Sequence, residues 1–214
     1  QSPINPDEPE PKIIDHFTQQ NKIFPALAKS IVYKIVSDNL INLREKISQE
    51  TDEGNLERFP ELHAVICCLK AVCTFETRDA IEVCRLSCGG HGYLYSAGFH
   101  EMYKYASVSI TGEGENTVML LQTARFLMKA FEKAKNGERL TVGVAYLREF
   151  LNCNDKRILF DDSIRGILRA VQMTAAGKIA STWKHIQERQ RTMSLEEASN
   201  QEGLALARAS TLHA

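Results

Sequence analysis

The stretch SCGGHGYLYSAGFHEMYKYASVSITGEGENTVMLLQTARFLMK, Ser87–Lys129, decides how the chain is read. Six of the 12 glycines, Gly89, Gly90, Gly92, Gly98, Gly112 and Gly114, fall inside it, in a chain whose remaining text has helical spacing. Glycine reaches left-handed dihedrals and leaves backbone amides unshielded, so Gly89, Gly90 and Gly92 are expected to end a long helix. Further on, Glu113 and Glu115 alternate with Gly112 and Gly114. They stand directly before apolar residues at helical spacing, Val118, Leu121, Ala124, Leu127, Met128 and Phe131, with Asn116 or Thr117 as the expected cap. Chemistry is expected at that junction.

Working outward, the helix that the first glycines close carries the stripe Leu62, Val65, Ile66, Leu69, Val72 and Cys73 and continues through Ile81 and Cys84. An earlier helix is marked by Ile23, Leu27, Ile31 and Ile35, then Leu40, Leu43 and Ile47. Pro25 either starts a helix there at its first turn or kinks a longer one. Residues 1–11 hold four of the six prolines and read as an extended, solvated lead-in. Downstream, Asn136 and Gly137 close the helix after Glu113, and residues 142–151 form a short one. Asn152 to Asp155 read as a polar linker, and a long helix spans residues 160–189. Ser194 with Glu197 has capping-box spacing for a last helix. Only Tyr105 to Ile110 has a weak strand pattern. The class is all-α, an antiparallel helical bundle followed by the start of a second helical domain.

Bulk properties exclude several functions. Net charge is −1, from 26 basic and 27 acidic residues, which gives no field to attract nucleic acid. No apolar run approaches the roughly 20 residues that span a bilayer. The six cysteines lie mostly in apolar helical text, which points to reduced thiols and away from a disulfide scaffold. Both ends read as internal cuts in a longer protein.

The glycine text matches neither phosphate-binding fingerprint, G-x-x-x-x-G-K-[ST] or G-x-G-x-x-G after a strand, and two carboxylates beside Gly112 and Gly114 would repel a pyrophosphate. A carboxylate in a glycine-flanked turn at a helix entrance suits a general base, because such a turn admits a substrate closely and excludes water. Glu113 and Glu115 equally suit the positive end of the following helix. Residue types alone leave both readings open. Cys84, Cys88 and His91 have a spacing that could hold zinc with Cys67, Cys68 or Cys73. Cys84 and Cys88 also sit one turn apart on an apolar stripe, where cysteine acts as a small apolar residue, and no metal is assigned. Arg125 reads as a surface charge, Trp183 as core, and Lys184 to Arg191 as a solvated helix face.

The text CRLSCGGHGY (Cys84–Tyr93) followed by GENTVMLLQTARFLMK (Gly114–Lys129) resembles the acyl-CoA oxidases of peroxisomal fatty-acid β-oxidation. PEPKIIDHFTQQNKIFP (Pro9–Pro25) and FPELHA (Phe59–Ala64) are similar to the same family, in the same order and spacing, over about Pro9 to Lys133. The resemblance implies a homodimeric FAD enzyme of the peroxisome that converts fatty acyl-CoA to trans-2-enoyl-CoA and reduces O2 to H2O2. By position it makes Glu113 the base that removes the acyl α-proton. It places Gly89 and Gly90 against the flavin of the neighbouring subunit, and Gly114, Glu115 and Thr117 at the adenine and diphosphate side of FAD.

It also implies a layout: 12–137 a flavin-facing bundle, 138–158 a connector, and 159–214 the opening of a second helical domain. Such a piece by itself is expected neither to hold FAD tightly nor to turn over. Two positions depart from the pattern. The family carries an aromatic residue where this chain has Gly112, and glutamine where it has Phe17. A non-catalytic paralogue that keeps the bundle as a dimerisation or partner-binding module is the alternative that those departures favour.

Overall fold

The computed structural model describes residues 7–153 and 161–214. Its helices are α1 (Phe17–Asp52), α2 (Phe59–Ser87), α3 (Phe99–Thr111), α4 (Asn116–Lys135), α5 (Tyr146–Asn152), α6 (Ile164–Arg189), α7 (Leu195–Gln201) and α8 (Gly203–His213). No strand occurs among the described residues, so the all-α class holds. The weak strand pattern of Tyr105 to Ile110 lies inside α3. A six-residue alternation with no second strand to pair with loses to the helical register that Phe99, Met102 and Ala106 share with it. The expected lead-in is described only from Asp7 onward, and Asn154, Asp155 and Phe160 of the expected linker and long helix lie outside the described residues.

By contacts the chain divides into two units. One comprises the described part of Gln1–Asn42 with Cys73–Gly112, the other Leu43–Val72 with Glu113–Ala214. In the first unit, Pro25 lies inside α1 and neither starts nor ends it. The helical spacing of Leu27, Ile31 and Ile35 is real, yet all three are exposed. Tyr33 donates a hydrogen bond to Glu76, and Lys29 pairs with the same carboxylate at 3.0 Å, tying α1 to the second half of α2.

The second unit contains the core. Leu127, Phe131, Leu147, Phe150 and Ile179 are buried together from α4, α5 and α6, and Ala124, Ile186, Ala198 and Leu206 form a continuation toward α7 and α8. The buried face of α2 here is Leu62, Ala64, Cys67, Cys68 and Ala71, one step round from the expected stripe, and Ile66 is exposed. Small side chains explain the shift, because they let backbones approach closely enough for side-chain bonds to main-chain carbonyls. Thr123 donates to the Ala64 carbonyl at 3.2 Å, Cys68 to that of Ser210 at 3.3 Å, and Ser210 to that of Leu120 at 2.8 Å. Trp183 is partly buried beside Phe131, with Lys135 over its ring at 3.6 Å. The Ser194–Glu197 capping box forms as expected, and Asn136 and Gly137 close α4, with Gly137 at φ 76°. No helix among the described residues is long and apolar enough to cross a membrane.

Candidate functional site

Two glycine turns carry the candidate residues. The first follows α2 in the first unit. Gln19 donates from its side chain to the Ser87 carbonyl at 2.8 Å, closing the helix end, and Gly89 turns left-handed at φ 59°. Short 3-10 turns follow at Gly89–Tyr93 and Tyr95–Ala97. A Cβ at Gly89 or Gly90 would meet nothing within 4 Å, so the backbone at both residues is bare. Gly92 is the opposite: it is buried, and a Cβ there would lie 2.0 Å from the Arg85 carbonyl oxygen. Its role is to let the turn fold back onto α2, and its spacing from its neighbours in GGHG does not reveal that. Tyr93 and Tyr95 stand out from the turn, largely exposed.

The second turn leads into α4 in the second unit. Glu113 is the single non-glycine residue with positive φ among the described residues, at 59°, and Gly114 follows at 114°. A Cβ on Gly114 would sit 2.5 Å from the Met119 methyl carbon. Glu115 is the cap of α4, where Asn116 or Thr117 was expected. Its carboxylate accepts from the backbone N–H of Thr117 at 2.8 Å and of Val118 at 3.3 Å, and from the Thr117 hydroxyl at 3.2 Å. A carboxylate reaches two orphan amides of the first turn and complements the positive helix end as well, which an amide or hydroxyl does less fully. Asn116 is instead the first helical residue and fully buried. The side-chain amide of Asn116 donates to the Ala71 carbonyl at 3.1 Å, and its oxygen accepts from Lys70 at 2.8 Å; the Lys70 ammonium also donates to the Gly114 carbonyl.

The two acids therefore have separate tasks. Glu115 is committed to capping. Glu113 is exposed, and its carboxylate has no hydrogen-bond or ion-pair partner among the described residues. Gly112 ends α3 at φ −65°, with its N–H to the Val108 carbonyl at 2.8 Å. That dihedral is open to any residue, but a Cβ there would lie 3.0 Å from the Val108 carbonyl oxygen, so glycine eases the close of α3. Phe17, the other departure, is 86% exposed at the start of α1.

Lys70 escaped the sequence reading, although a signal exists. It is the one charge in the run AVICCLKAVCTF, Ala64–Phe75, and a charge inside such a run needs a partner. Among the described residues no three His, Cys, Asp or Glu side chains gather as metal ligands, and Cys84, Cys88 and His91 form no such group. No disulfide joins the six cysteines. Arg125 is exposed. A cavity of about 520 Å³ in the second unit is lined by Arg58, Glu61, Phe126, Lys133 and Val144, and none of the candidate residues lines it. At the Glu113 turn an exposed carboxylate sits on a left-handed backbone.

Residues 1–128 match the family described as "Acyl-CoA oxidase, C-alpha1 domain". The chain belongs to the acyl-CoA oxidase family. The acyl-coenzyme A oxidase 1 of Drosophila melanogaster is 46% identical over 214 residues, all of this chain and 32% of that protein. The peroxisomal acyl-coenzyme A oxidase 1 of Bos taurus is 44% identical over 149 residues, 70% of this chain and 23% of that protein. In three dimensions, acyl-CoA oxidase-1 of Caenorhabditis elegans, crystallised with FAD and ATP, superposes with a TM-score of 0.92 at 33% identity, covering all of this chain and 32% of that one. This acyl-CoA oxidase chain thus spans about a third of the Drosophila and nematode proteins, and its fold is that of the nematode structure over that third.

Proposed function

We propose that this chain is the flavin-facing helical portion of a peroxisomal FAD-dependent acyl-CoA oxidase, in which Glu113 removes the α-proton of a fatty acyl-CoA to give the trans-2-enoyl-CoA. The division of the two acids carries this reading: Glu115 is spent on the cap of α4, and Glu113 is held on a left-handed turn with its carboxylate free to meet a substrate. The α-proton of a thioester is weakly acidic, so its removal needs a base fixed at the right place and an acceptor for the electrons left behind. FAD, when bound, supplies the acceptor for the β-hydride and passes the electrons to O2, yielding H2O2.

The residues fit that cofactor. Gly89 and Gly90 offer bare backbone to a flavin from the neighbouring subunit of a homodimer. The resemblance also assigns Gly114, Glu115 and Thr117 to the adenine and diphosphate side; the Glu115 carboxylate occupies the Thr117 and Val118 amides, so the helix entrance offers no free anion site of its own. The exposed apolar residues of the first unit support a chain completed by further protein, with 12–137 as the flavin-facing bundle, 138–158 as connector and 159–214 opening a second helical domain.

In the FAD-loaded holoenzyme, Glu113→Gln is expected to lower exchange of the substrate α-proton by about 10²- to 10⁴-fold, with flavin still bound. Exchange at the wild-type rate removes Glu113 from its role. A second reading, a bundle kept for dimerisation or partner binding without turnover, draws on Gly112, which leaves the flank of the turn open where the family pattern has an aromatic ring. Holoenzyme that binds FAD yet makes no peroxide from acyl-CoA selects that reading.

A further inference from the structure

We infer that Lys70 is a positioning residue for the Glu113 turn, holding the backbone from which the base acts. The inference rests on the reading of Glu113 as the base. Consecutive positive φ angles at Glu113 and Gly114 make a left-handed turn just before α4. A side chain in the left-handed region is sterically disfavoured, and such a conformation persists only where its surroundings impose it. Here the imposing group comes from the middle of α2. The Lys70 ammonium donates to the carbonyl of Gly114, the residue directly after the base, and to Asn116 Oδ1 at 2.8 Å. Asn116 is fully buried and returns a bond from its amide to the carbonyl of Ala71, the next residue of α2.

Two successive residues of one helix therefore hold the C-terminal side of the turn, one by a charge-assisted bond to the Gly114 main chain and one through the buried Asn116 amide. Glu115 fixes the following residues through Thr117 and Val118. What stays unheld is the Glu113 side chain itself. Without the ammonium, the Gly114 carbonyl and Asn116 Oδ1 each lose a donor, and the turn can relax toward ordinary dihedrals. Misplacement of a reacting group by about 1 Å costs on the order of 100-fold in rate.

The test uses FAD-loaded holoenzyme carrying Lys70→Met, with Lys70→Gln, which keeps an uncharged N–H donor group, as the milder companion, and Glu113→Gln alongside. The expected result is kcat lower by about 10- to 100-fold in Lys70→Met and by less in Lys70→Gln, at wild-type flavin content and with KM within twofold. The α-deuterium isotope effect on kcat should rise, since proton removal becomes the slower step, and a defect confined to folding or flavin retention would leave it unchanged. Wild-type kcat in Lys70→Met, an unchanged isotope effect, or loss of flavin from both Lys70 variants overturns the positioning role. Retained α-proton exchange in Glu113→Gln overturns the underlying reading of the base, whatever Lys70 does.

Discussion

Both units of the chain are built from helices of similar periodicity, but they use it differently. In the second unit, apolar positions of α4, α5, α6 and α8 face one another, and Leu127, Leu147, Ile179 and Ala209 are sealed from solvent. In the first unit, only Gly92 and Ala106 are buried among the described residues, while Phe24, Leu27, Ile31, Ile35, Tyr105 and Val108 remain exposed. Burying a leucine or isoleucine is worth roughly 1.5–3 kcal/mol, so a surface that leaves so many outside is one that needs another surface against it. A 3.6-residue stripe therefore identifies a helix and its apolar side. It does not say whether the covering partner belongs to the same chain.

The largest effect that tests this contrast concerns the chain by itself. The unit with bare apolar helices also carries the Gly89 and Gly90 turn, so the isolated 214-residue chain is expected to copurify without flavin and to make no peroxide from acyl-CoA, by absorbance near 450 nm and a peroxide assay. A stoichiometric yellow complex would show that the first unit needs no further covering. Next in size, Leu127→Ala in the isolated chain should cost about 2–5 kcal/mol by denaturant unfolding, as fully buried leucines do. Ile35→Ala, at a residue 56% exposed, should stay within about 0.5 kcal/mol. Equal losses would mean that the first unit is as self-contained as the second.

Much of this was legible from residue types. The boundaries of α2 at the glycines, the closure of α4 at Gly137 and the Ser194 capping box follow from local chemistry, which needs only near neighbours in sequence. Family text from Cys84 to Tyr93 and from Gly114 to Lys129 pointed to the lineage and to Glu113. The buried face of α2 was misplaced because the small side chains of Ala64 and Ala71 allow the close backbone approach that sets which positions are enclosed, and a stripe of large apolar residues does not single them out. Lys70 and Asn116 as the grip on the turn depend on residues about 45 positions apart that periodicity does not connect, whereas Glu115 as cap is a local choice among Glu115, Asn116 and Thr117 that the burial of Asn116 decides.

A smaller effect separates the units by pH. His213 at the end of α8 has its Nδ1 2.8 Å from the Tyr146 hydroxyl, and burial pushes its pKa below the ordinary value of 6.5. A histidine kept neutral by folding takes up its proton more readily when unfolded, so its contribution is complete above about pH 6.5 and is lost as pH falls toward the lower folded value. Unfolding of the second unit, followed by near-UV signals, should become easier from pH 6.5 downward, and His213→Phe should flatten that dependence. If wild type and variant keep the same slope, the acid sensitivity lies elsewhere.

The smallest effects lie within the turn that divides the two acids. Glu115→Ala removes the acceptor for the Thr117 and Val118 amides and should cost about 1 kcal/mol, since a cap lost to alanine costs roughly 0.5–2 kcal/mol. Glu113→Gly should run the other way. Its φ of 59° is natural for glycine and costly for glutamate, and the relief is partly offset by the greater freedom that glycine has in the unfolded chain. The net change is then expected between zero and about 1 kcal/mol of stabilisation, measured by denaturant midpoint, while the holoenzyme loses α-proton exchange. A residue whose removal leaves the fold as stable or more so and abolishes the reaction is retained for chemistry, because selection for folding alone would have placed glycine at 113 as it did at 114. Destabilisation by Glu113→Gly comparable to that of Glu115→Ala would instead make both acids part of the helix entrance and end the distinction between them.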